Sequence, residues 1–572
     1  MTDLRCPSRG AVVLAVVAGL LGPVLLAAAG GVLGVPPGVA HANEVHAATV
    51  RFEVADGGVL ELDDGRRFVD TLELRVDDAG STVLINDVTM DDYLSGVAEM
   101  PPRWHEEALR AQAVAARTYA WRSIERGTFA DRGYDICATV DCQVFAGVDA
   151  VEERALGGRW RQAVLDTTGE VLLDEDDRPI LARYFSTSGG RTLPNDLAFP
   201  SSGAFPYLVG VEDPDDEVAP LHRWRVEFTR EEFEDVLSRG QTLSAAVPVA
   251  EVERRGDLLD PRAEVVVIGR DGTEVGVTAV RFREFVSRIA GDRHPDRFPS
   301  RRDDGRPMPT TLPSSRFEVE VADDRVVIEG RGWGHGVGMG QYGAVGKARR
   351  GMTYDEILAS YYNGLTPEVD ERVPERVRVG LSAADEVELR GDARMRILAD
   401  GDEIAERTLG TWRVRAVDGR LRLRPPEGRD RQLEVSPTSL APELAEEDDV
   451  VVAQAHVNKP AQLSLHVARE DGGTVLVRDL GVGEPGEHAA TWRYADEDGE
   501  RVTEGDYRLT IVAVDEQGVS EGRPLTVTVT EPASRAERRA GTNGRWGLVL
   551  LASVILVLAT SVVTLALRRR GP

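Results

Sequence analysis

The sequence is poor in lysine and in cysteine. Lys347 and Lys459 are its only lysines, and its three cysteines are Cys6, Cys137 and Cys142. The formal net charge is −29, so nucleic acid is excluded as an expected partner, because binding it depends on neutralising phosphates with lysine and arginine. Arginine in place of lysine, together with the alanine, glycine and valine usage, indicates a G+C-rich bacterial genome and no particular function.

Residues suited to metal binding seldom occur together. No histidine lies between His105 and His222, and the two sulfurs of Cys137 and Cys142 alone do not complete a tetrahedral zinc site. The stretch HEEAL, which starts at His105, lacks the second histidine of the HExxH pattern. We therefore predict no metal and no cofactor, with zinc at the two cysteines as the alternative. In an exported chain, their short spacing favours a local disulfide.

Both ends of the chain carry long apolar runs. Arg5 and Arg9 precede an apolar run from Ala11 to Val35, and Ala40-His41-Ala42 follows as a cleavage site. This pattern predicts a signal peptide at 1–42, with an uncleaved anchor as the alternative. Near the other end, residues 546–567 are apolar or small and precede three arginines, which predicts a transmembrane helix. The sequence therefore predicts a single-pass protein of the cell membrane with its domains on the extracytoplasmic side.

Between the two ends, the pattern of apolar residues predicts three further domains. Residues 50–365 mix strand and helix patterns and are expected to form one α and β region, and residues 372–440 a small β-rich module. Residues 450–531 show short strands separated by glycine turns, which is typical of an Ig-like β-sandwich. The predicted fold class is α+β, followed by the β module, the sandwich and the C-terminal transmembrane helix.

The stretch 93–120, which reads YLSGVAEMPPRWHEEALRAQAVAARTYA, places one carboxylate, Glu99, at an abrupt boundary. Pro101 and Pro102 break the chain, and apolar residues at helical spacing follow. A carboxylate at such a boundary can be held partly dehydrated, which raises its pKa toward the range that a general acid needs. The alternative is that Glu99 is only a helix N-terminal charge favoured by the macrodipole.

Two segments rich in small residues follow downstream, STSGGRT at 186–192 and GRGWGHGVGMGQYGAVGKA at 330–348. The second segment lacks the βαβ context and acidic residue of a dinucleotide site, and it does not match a phosphate-binding loop. Its glycines and aromatic residues fit the wall of a groove that holds a sugar chain. The alternatives are a tight turn for the first segment and a structural role for the lone His335.

Together these segments resemble the sporulation stage II protein D (SpoIID/LytB) family over about 85–365, with a weaker block, VTAVRFR, at 277–283. The resemblance implies a peptidoglycan lytic transglycosylase of cell-wall remodelling or sporulation, with Glu99 as general acid and base. One such residue suffices because the attacking hydroxyl belongs to the substrate. The implied substrate-binding residues are Tyr93, Arg117, Ser186, Ser188, Gly189, Gly190, Trp333, His335, Gln341 and Tyr342.

Two non-catalytic functions remain as alternatives to the transglycosylase. The family also implies modifiers that bind the wall and enhance a peptidoglycan amidase, and the chain could instead be a structural, adhesin-like module. The expected partners are peptidoglycan glycan strands, the membrane and other cell-wall hydrolases. In the predicted sandwich, Trp492 and the segment Gly505-Asp506-Tyr507 resemble the Ig-like module of the flagellar hook-capping protein FlgD.

Overall fold

The structure, a computed structural model, describes residues 45–530 apart from positions 56, 78, 149–156, 303–304, 383–384 and 442–449. The predicted signal peptide at 1–42 and the predicted membrane helix at 546–567 lie outside these residues. The transmembrane part of the predicted fold class is corrected, because no helix within the described ranges is both long and apolar enough to cross a membrane. The described residues form a mixed α and β structure built mostly of sheets.

The described chain opens with six strands whose apolar residues alternate. In the second strand, Val50 and Phe52 are fully buried, as the two-residue period of a strand requires. The six strands are β1 (Val45–Ala47), β2 (Thr49–Val54), β3 (Val59–Leu62), β4 (Arg67–Val69), β5 (Thr71–Val76) and β6 (Thr82–Thr89).

A mainly helical region follows. It contains α1 (Met90–Ser95), α2 (Glu106–Arg126), β7 (Ile136–Cys137), α3 (Gly157–Asp166), β8 (Glu170–Val171), β9 (Tyr184–Phe185) and α4 (Asn195–Ala198). Helix α2 is capped by Gly127, which adopts a left-handed conformation with φ 56°. Leu109 on α2 packs into the core beneath the first strands, whereas Val114 packs into a second core. The helix therefore lies between two hydrophobic cores and joins them.

An inserted subdomain separates the two segments that are rich in small residues. It contains β10 (Trp224–Thr229), α5 (Arg230–Ser238), β11 (Val249–Arg255), β12 (Glu264–Gly269), β13 (Glu274–Thr278), α6 (Ala279–Arg293), β14 (Phe317–Val321) and β15 (Arg325–Gly330). Its two sheets have the orders β10-β15-β14 and β11-β12-β13, and Phe228, Phe233 and Phe282 lie in its own core. The weaker family block at 277–283 falls here, at the junction of β13 and α6.

The chain then returns to the second core. This part contains β16 (Met339–Gly340), α7 (Gln341–Arg349), α8 (Tyr354–Tyr361) and β17 (Glu368–Val369). Helix α8 begins with a capping box, in which Thr353 and Glu356 each bond the main-chain N–H of the other.

The predicted separate module at 372–440 does not form a sheet of its own. Its strands are β18 (Arg376–Leu381), β19 (Glu386–Gly391), β20 (Met395–Ala399), β21 (Asp402–Thr408), β22 (Trp412–Val417) and β23 (Arg420–Arg424). They complete two sheets with the first strands, in the orders β1-β23-β22-β19-β3-β4 and β21-β20-β2-β5-β6-β18-β7. The rings of Phe52 and Trp412 are 6.5 Å apart in the shared core. The boundary predicted at residue 372 is not seen, because alternating apolar and polar residues identify a strand but not the strand with which it pairs.

The last described strands form a two-sheet sandwich. They are β24 (Ser439–Leu440), β25 (Val451–Val457), β26 (Ala461–Arg469), β27 (Thr474–Gly483), β28 (Gly486–Trp492), β29 (Gly505–Val514), β30 (Val519–Glu521) and β31 (Leu525–Val529). One sheet has the order β24-β25-β28, and the other has β27-β26-β29-β30, with β31 also paired to β29. Trp492 and Tyr507 are buried between them, with ring centroids 5.3 Å apart.

Candidate active-site cleft

Three segments that lie far apart in the sequence meet in one cleft of about 720 Å³. The first is the turn that carries Glu99 between α1 and α2, the second is the segment 183–186, and the third is the glycine-rich segment 333–342. The cleft is lined by Ala98, Glu99, Met100, Pro101, Trp104, Tyr119, Val140, Asp141, Cys142, Val144, Arg183, Tyr184, Phe185, Ser186, Phe199, Trp333, Gly334, His335, Gln341 and Tyr342.

Glu99 is held by a short piece of strand pairing. The Ala98 N–H donates to the Val144 carbonyl at 2.8 Å, and the Val144 N–H donates to Glu99 Oε1 at 2.7 Å. Burial raises the pKa of Glu99, and the hydrogen bonds from Val144 and from the side chain of Gln341 oppose the rise. No charged neighbour contributes to this shift. The carboxyl group therefore has a fixed position and an increased affinity for a proton.

A buried hydrogen-bonded layer supports Glu99 from below. The Tyr93 hydroxyl donates to Gln143 Oε1 at 2.6 Å, and Gln143 Nε2 donates to the Tyr184 hydroxyl at 2.9 Å. Burial, followed by the negative charge of Glu99, raises the pKa of Tyr184 well above its ordinary value. Because its pKa is raised, the Tyr184 phenol stays neutral and brings a hydroxyl group rather than a charge to the cleft.

A disulfide loop forms one rim of the cleft. Cys137 and Cys142 are bonded with an S–S distance of 2.06 Å. Between them, Asp141 is exposed, and Val140 is 84% exposed although its side chain is apolar. The residue after Cys142 is Gln143, so the disulfide lies directly beside the layer under Glu99. Among the described residues, no group of three or more His, Cys, Asp or Glu side chains is arranged to hold a metal ion.

The second and third segments are joined through their main chains. Thr187 and Trp333 exchange two hydrogen bonds, of 3.0 and 2.9 Å, and β9 pairs in parallel with β16. The Tyr342 N–H also donates to the Ser186 carbonyl at 3.0 Å. Gly338 has φ 79°, and a Cβ there would lie 1.9 Å from the Arg183 carbonyl oxygen, so only glycine fits this contact.

His335 is fixed by its two ring nitrogens. Nε2 lies 3.0 Å from the Tyr184 carbonyl oxygen, and Nδ1 accepts the Val337 N–H at 3.1 Å. These partners select the neutral tautomer with the proton on Nε2. Although part of the residue is exposed, enclosure of the ring, followed by the positive charge of Arg183, lowers the pKa of His335 to about 4. His335 therefore organises the cleft wall and is not placed as a proton-transfer group.

Aromatic side chains provide much of the cleft surface. The rings of Trp104 and Tyr342 are 4.6 Å apart and connect the start of α2 to the start of α7. On the other side, Phe185 and Phe199 each lie 5.4 Å from the His335 ring. Aromatic faces with a few polar groups between them are suited to holding the apolar faces of sugars.

Of the side chains predicted to bind substrate, Tyr93 and Arg117 do not reach the cleft. Both are fully buried. The Arg117 guanidinium donates to the Thr167 and Val164 carbonyl oxygens at 2.6 and 3.1 Å, and lies 3.4 Å from Asp91. Arg117 thus fastens α2 to α3, and Tyr93 acts through Gln143.

The loop that contains Ser188, Gly189 and Gly190 also lies behind the cleft. The N–H groups of Ser188 and Gly189 donate to the two carboxylate oxygens of Asp216, each at 2.8 Å, and the Gly190 N–H donates to Ser188 Oγ. Asp216 is fully buried and also lies 2.9 Å from His222 Nδ1. This loop is the tight turn that was the alternative for the segment, and it holds Ser186 at the cleft edge.

The cleft lining includes residues that were not predicted from the sequence, among them Tyr119, Asp141, Arg183, Phe185 and Phe199. Arg183 and Phe185 flank a predicted segment, so their position in the chain was a usable signal. Tyr119 lies one turn of α2 away from Ala115 and Ala116, and an aromatic residue among helical alanines is equally consistent with a core position. Nothing in the local sequence distinguishes Phe199 or Asp141.

A buried ionic cluster lies behind the cleft. Lys347 on α7 is 5% exposed, and its Nζ lies 3.0 Å from Asp213 Oδ1 and 3.4 Å from Asp215 Oδ2. The Tyr361 hydroxyl donates to Asp213 Oδ1 at 2.7 Å. The cluster connects α7 and α8 to the loop that precedes the inserted subdomain.

Known proteins share sequence with this chain over about half of its length. The profile of the SpoIID family, described as stage II sporulation protein, matches residues 78–173. The chain is 30% identical over 291 residues to stage II sporulation protein D of Bacillus subtilis, covering 49% of this chain and 74% of that protein. It is also 30% identical over 327 residues to an uncharacterized protein of Brachyspira hyodysenteriae, covering 56% of this chain and 77% of that protein.

Two weaker similarities complete the comparison. The amidase enhancer of Bacillus subtilis is 28% identical over 293 residues, covering 47% of this chain and 39% of that protein. The solved structure of FlgD from P. aeruginosa aligns with 17% of this chain and 74% of its own length at 17% identity, but its TM-score of 0.14 supports no argument. Because the chain covers 74% of a stage II sporulation protein D at 30% identity, it belongs to the SpoIID family.

Proposed function

We propose that this protein is a peptidoglycan lytic transglycosylase that acts outside the cytoplasm, with Glu99 as its single acid and base. Membership of the SpoIID family and similarity to an amidase enhancer fit a cell-wall-related role. The observation that carries the finer proposal is the environment of Glu99. Its carboxyl group lies in an aromatic cleft, burial raises its pKa, and the Val144 N–H fixes one of its oxygens.

The proposed reaction needs one proton donor that becomes a proton acceptor. Protonated Glu99 donates to the glycosidic oxygen as the bond between that oxygen and C1 of the muramic acid residue breaks. The Glu99 carboxylate then takes the proton of the C6 hydroxyl while the C6 oxygen bonds to C1. The products are a shortened strand and a 1,6-anhydro end. No water is consumed, and Glu99 returns to its protonated form.

The features around Glu99 fit both steps. Because Oε1 accepts the Val144 N–H, the second oxygen is the one that carries the transferable proton. The aromatic rings on both walls offer surfaces for the sugars on either side of the cleaved bond. His335 is neutral and its ring nitrogens are occupied, so it does not compete as an acid or base.

The location outside the cytoplasm has its own support. A disulfide between Cys137 and Cys142 persists in an oxidising compartment and is rare in the reducing cytoplasm. Trapping thiols in intact cells tests this part. The two cysteines are expected to resist alkylation until a reductant is added, and free thiols in freshly trapped protein would contradict the proposed location.

A second candidate function is supported by the relative that is named an amidase enhancer. In that case, the aromatic cleft would bind glycan strands for a separate amidase, and no bond would be broken in the cleft. The two candidates differ in one residue. A binding protein tolerates the change Glu99→Gln, because glutamine retains the size of the side chain and an oxygen that accepts the Val144 N–H.

The test is digestion of purified peptidoglycan by the full chain, with the released sugars identified by mass spectrometry. We expect anhydro-muropeptides from the wild type and a rate at least about 10²-fold lower from Glu99→Gln, since general acid and base assistance contributes about 10²–10⁴-fold. Glu175→Gln is the control, because Glu175 is exposed and lies outside the cleft lining. Equal anhydro-muropeptide release by Glu99→Gln and the wild type would leave the amidase-enhancer candidate ahead.

A further inference from the structure

The cleft contains a positive charge that has no counter-ion. Among the described residues that line it, Arg183 is the only arginine or lysine. Within the described ranges, no carboxylate lies at ion-pair distance from its guanidinium, and its Nε is buried without a hydrogen-bond partner. Leaving such a group unpaired is costly, so a ligand that supplies the missing partner gains binding energy there.

Other buried arginines in the described part of the chain also leave one nitrogen without a partner, Nε in Arg117 and Arg254 and Nη2 in Arg316, but their other nitrogens donate to main-chain oxygens. Arg117 donates to the Thr167 carbonyl oxygen, Arg254 to the Ser315 carbonyl oxygen, and Arg316 to the Arg191 carbonyl oxygen. These side chains have structural roles, and their donors face the protein. Arg183 differs because its surroundings are aromatic and open to the cleft.

The Arg183 side chain is also held in place before any ligand arrives. Its guanidinium carbon lies 3.9 Å from the centre of the Phe199 ring, which is close enough for a cation–π contact. Its main-chain oxygen accepts hydrogen bonds from the Met339 N–H at 3.0 Å and from the Tyr362 hydroxyl at 2.8 Å. The cation–π contact lowers the conformational entropy that the guanidinium loses when it binds a partner.

A second positive charge, that of Arg126, acts on Arg183. Burial lowers the pKa of Arg183, the phenols of Tyr119 and Tyr207 act in the opposite direction, and the positive charge of Arg126 lowers it further. Arg126 is exposed, and no carboxylate contributes to the shift. This end of the cleft is thus cationic, although the whole chain carries a net charge of −29.

We propose that Arg183 binds a carboxylate carried by the glycan strand and thereby sets which strands the cleft accepts. This inference rests on the proposed function for the identity of the ligand. A planar guanidinium matches a carboxylate in a two-point hydrogen bond, which lysine cannot reproduce. A glycan strand has two sources of this group, the lactyl ether of muramic acid when no peptide is attached and the side or end carboxylates of the attached peptides.

The test measures binding in the full chain with Glu99→Gln, so that no strand is cleaved during the measurement. Three soluble ligands are compared: peptide-free strands, the same strands with their carboxylates converted to neutral amides, and strands that retain their peptides. Each is titrated against the Glu99→Gln chain and against chains that also carry Arg183→Gln, Arg183→Lys or Arg159→Gln. Arg159 is the control for loss of one positive charge, because it is exposed on α3 and outside the cleft lining.

We expect Arg183→Gln to weaken binding of carboxylate-bearing strands by about tenfold to a hundredfold, the range of a charge-assisted hydrogen bond. Amide strands should bind this variant and its parent alike, and Arg183→Lys should retain part of the affinity. A loss seen on peptide-free strands identifies the lactyl carboxylate, and a loss confined to peptide-bearing strands identifies the peptide. In the parent chain, only the carboxylate-dependent part of binding should decrease with added salt, which tests the proposal without a variant at Arg183.

Two results would overturn the inference: equal loss of binding on charged and neutral strands, or no loss on any of the three ligands. Failure of the catalytic proposal looks different. If Arg183→Gln shows the selective loss and the wild type still releases no anhydro-sugars, Arg183 keeps its role and the amidase-enhancer candidate gains support. If the Glu99→Gln chain binds none of the three strands, both this inference and the proposed function fall.

Discussion

The two lysines of this chain provide a matched test of how the cleft is supported. Both are buried, and each is paired with an aspartate: Lys347 with Asp213 at 3.0 Å behind the cleft, and Lys459 with Asp515 at 2.8 Å in the C-terminal sandwich. Replacing lysine with methionine keeps the length of the side chain and removes its charge. The change leaves an aspartate in the interior without its counter-ion.

The structure sets the relative size of the two effects. Breaking a buried ion pair by removing one partner costs about 3–5 kcal/mol. Without Lys347, Asp213 is fully buried, and its remaining hydrogen bond is the one from Tyr361 to Oδ1, since Oδ2 has no partner among the described residues. Without Lys459, Asp515 keeps two main-chain N–H donors on Oδ1, at 2.8 and 2.9 Å. We therefore expect the larger loss of stability from Lys347→Met.

The assay combines chemical denaturation with hydrogen–deuterium exchange, because a chain with several cores need not unfold in one step. Lys347→Met should increase exchange in α7 and in the loop around Ser188 and reduce turnover of peptidoglycan. Lys459→Met should increase exchange only in the sandwich and leave turnover unchanged. Adding Asp213→Asn to Lys347→Met should recover part of the lost stability, because it removes the uncompensated charge. A cost below about 1 kcal/mol for Lys347→Met, or identical exchange changes in both variants, would refute this account.

Three further outcomes follow from the cleft itself. Asp141→Asn should retain activity, because the proposed reaction uses only Glu99. A loss near 10²-fold in muropeptide release would instead point to a two-carboxylate mechanism. Replacing both Cys137 and Cys142 with serine should lower turnover while the fold persists. The reason is that Val144, whose N–H bonds Glu99, lies two residues after the disulfide loop. Unchanged kinetics would contradict this link. Burial raises the pKa of Glu99 in the folded chain. The contribution of Glu99 to stability is therefore fully present below its unfolded pKa, near 4.5, and is lost as pH rises through its folded pKa. Glu99→Gln should accordingly increase the unfolding temperature more at neutral than at acidic pH.

Local patterns predicted elements that depend on neighbours in the sequence. Helix α2 begins at Glu106 and ends at Arg126, close to where the proline pair and the apolar spacing place it. Helix α5, Arg230–Ser238, begins with a capping box between Thr229 and Glu232, which are only three residues apart. The signals that begin and end a helix therefore lie within a few residues of its ends.

Long-range pairing was not available from such patterns. Strand β18 pairs with β6, and β20 pairs with β2, across more than 280 intervening residues in each case. Each strand alternates apolar and polar side chains whichever strand lies beside it, so the predicted module at 372–440 looked independent. The same limit applies to Arg117. An arginine on a helix is consistent with a ligand site, and only the carbonyl groups of α3 and the segment after it show that its donors are already used.

The proposed role of Glu99 requires that its carboxyl group keep a proton until a sugar binds. An arginine beside Glu99 would stabilise the carboxylate and lower its pKa, which would remove the proton before a sugar arrived. Glu99 instead accepts a hydrogen bond from the Val144 N–H, and burial, not a nearby cation, is the largest cause of its pKa shift. The cation of the cleft, Arg183, acts on His335 and Tyr119. A substrate carboxylate bound at Arg183 would therefore add its charge at the cationic end, while the proton on Glu99 stays available at the other.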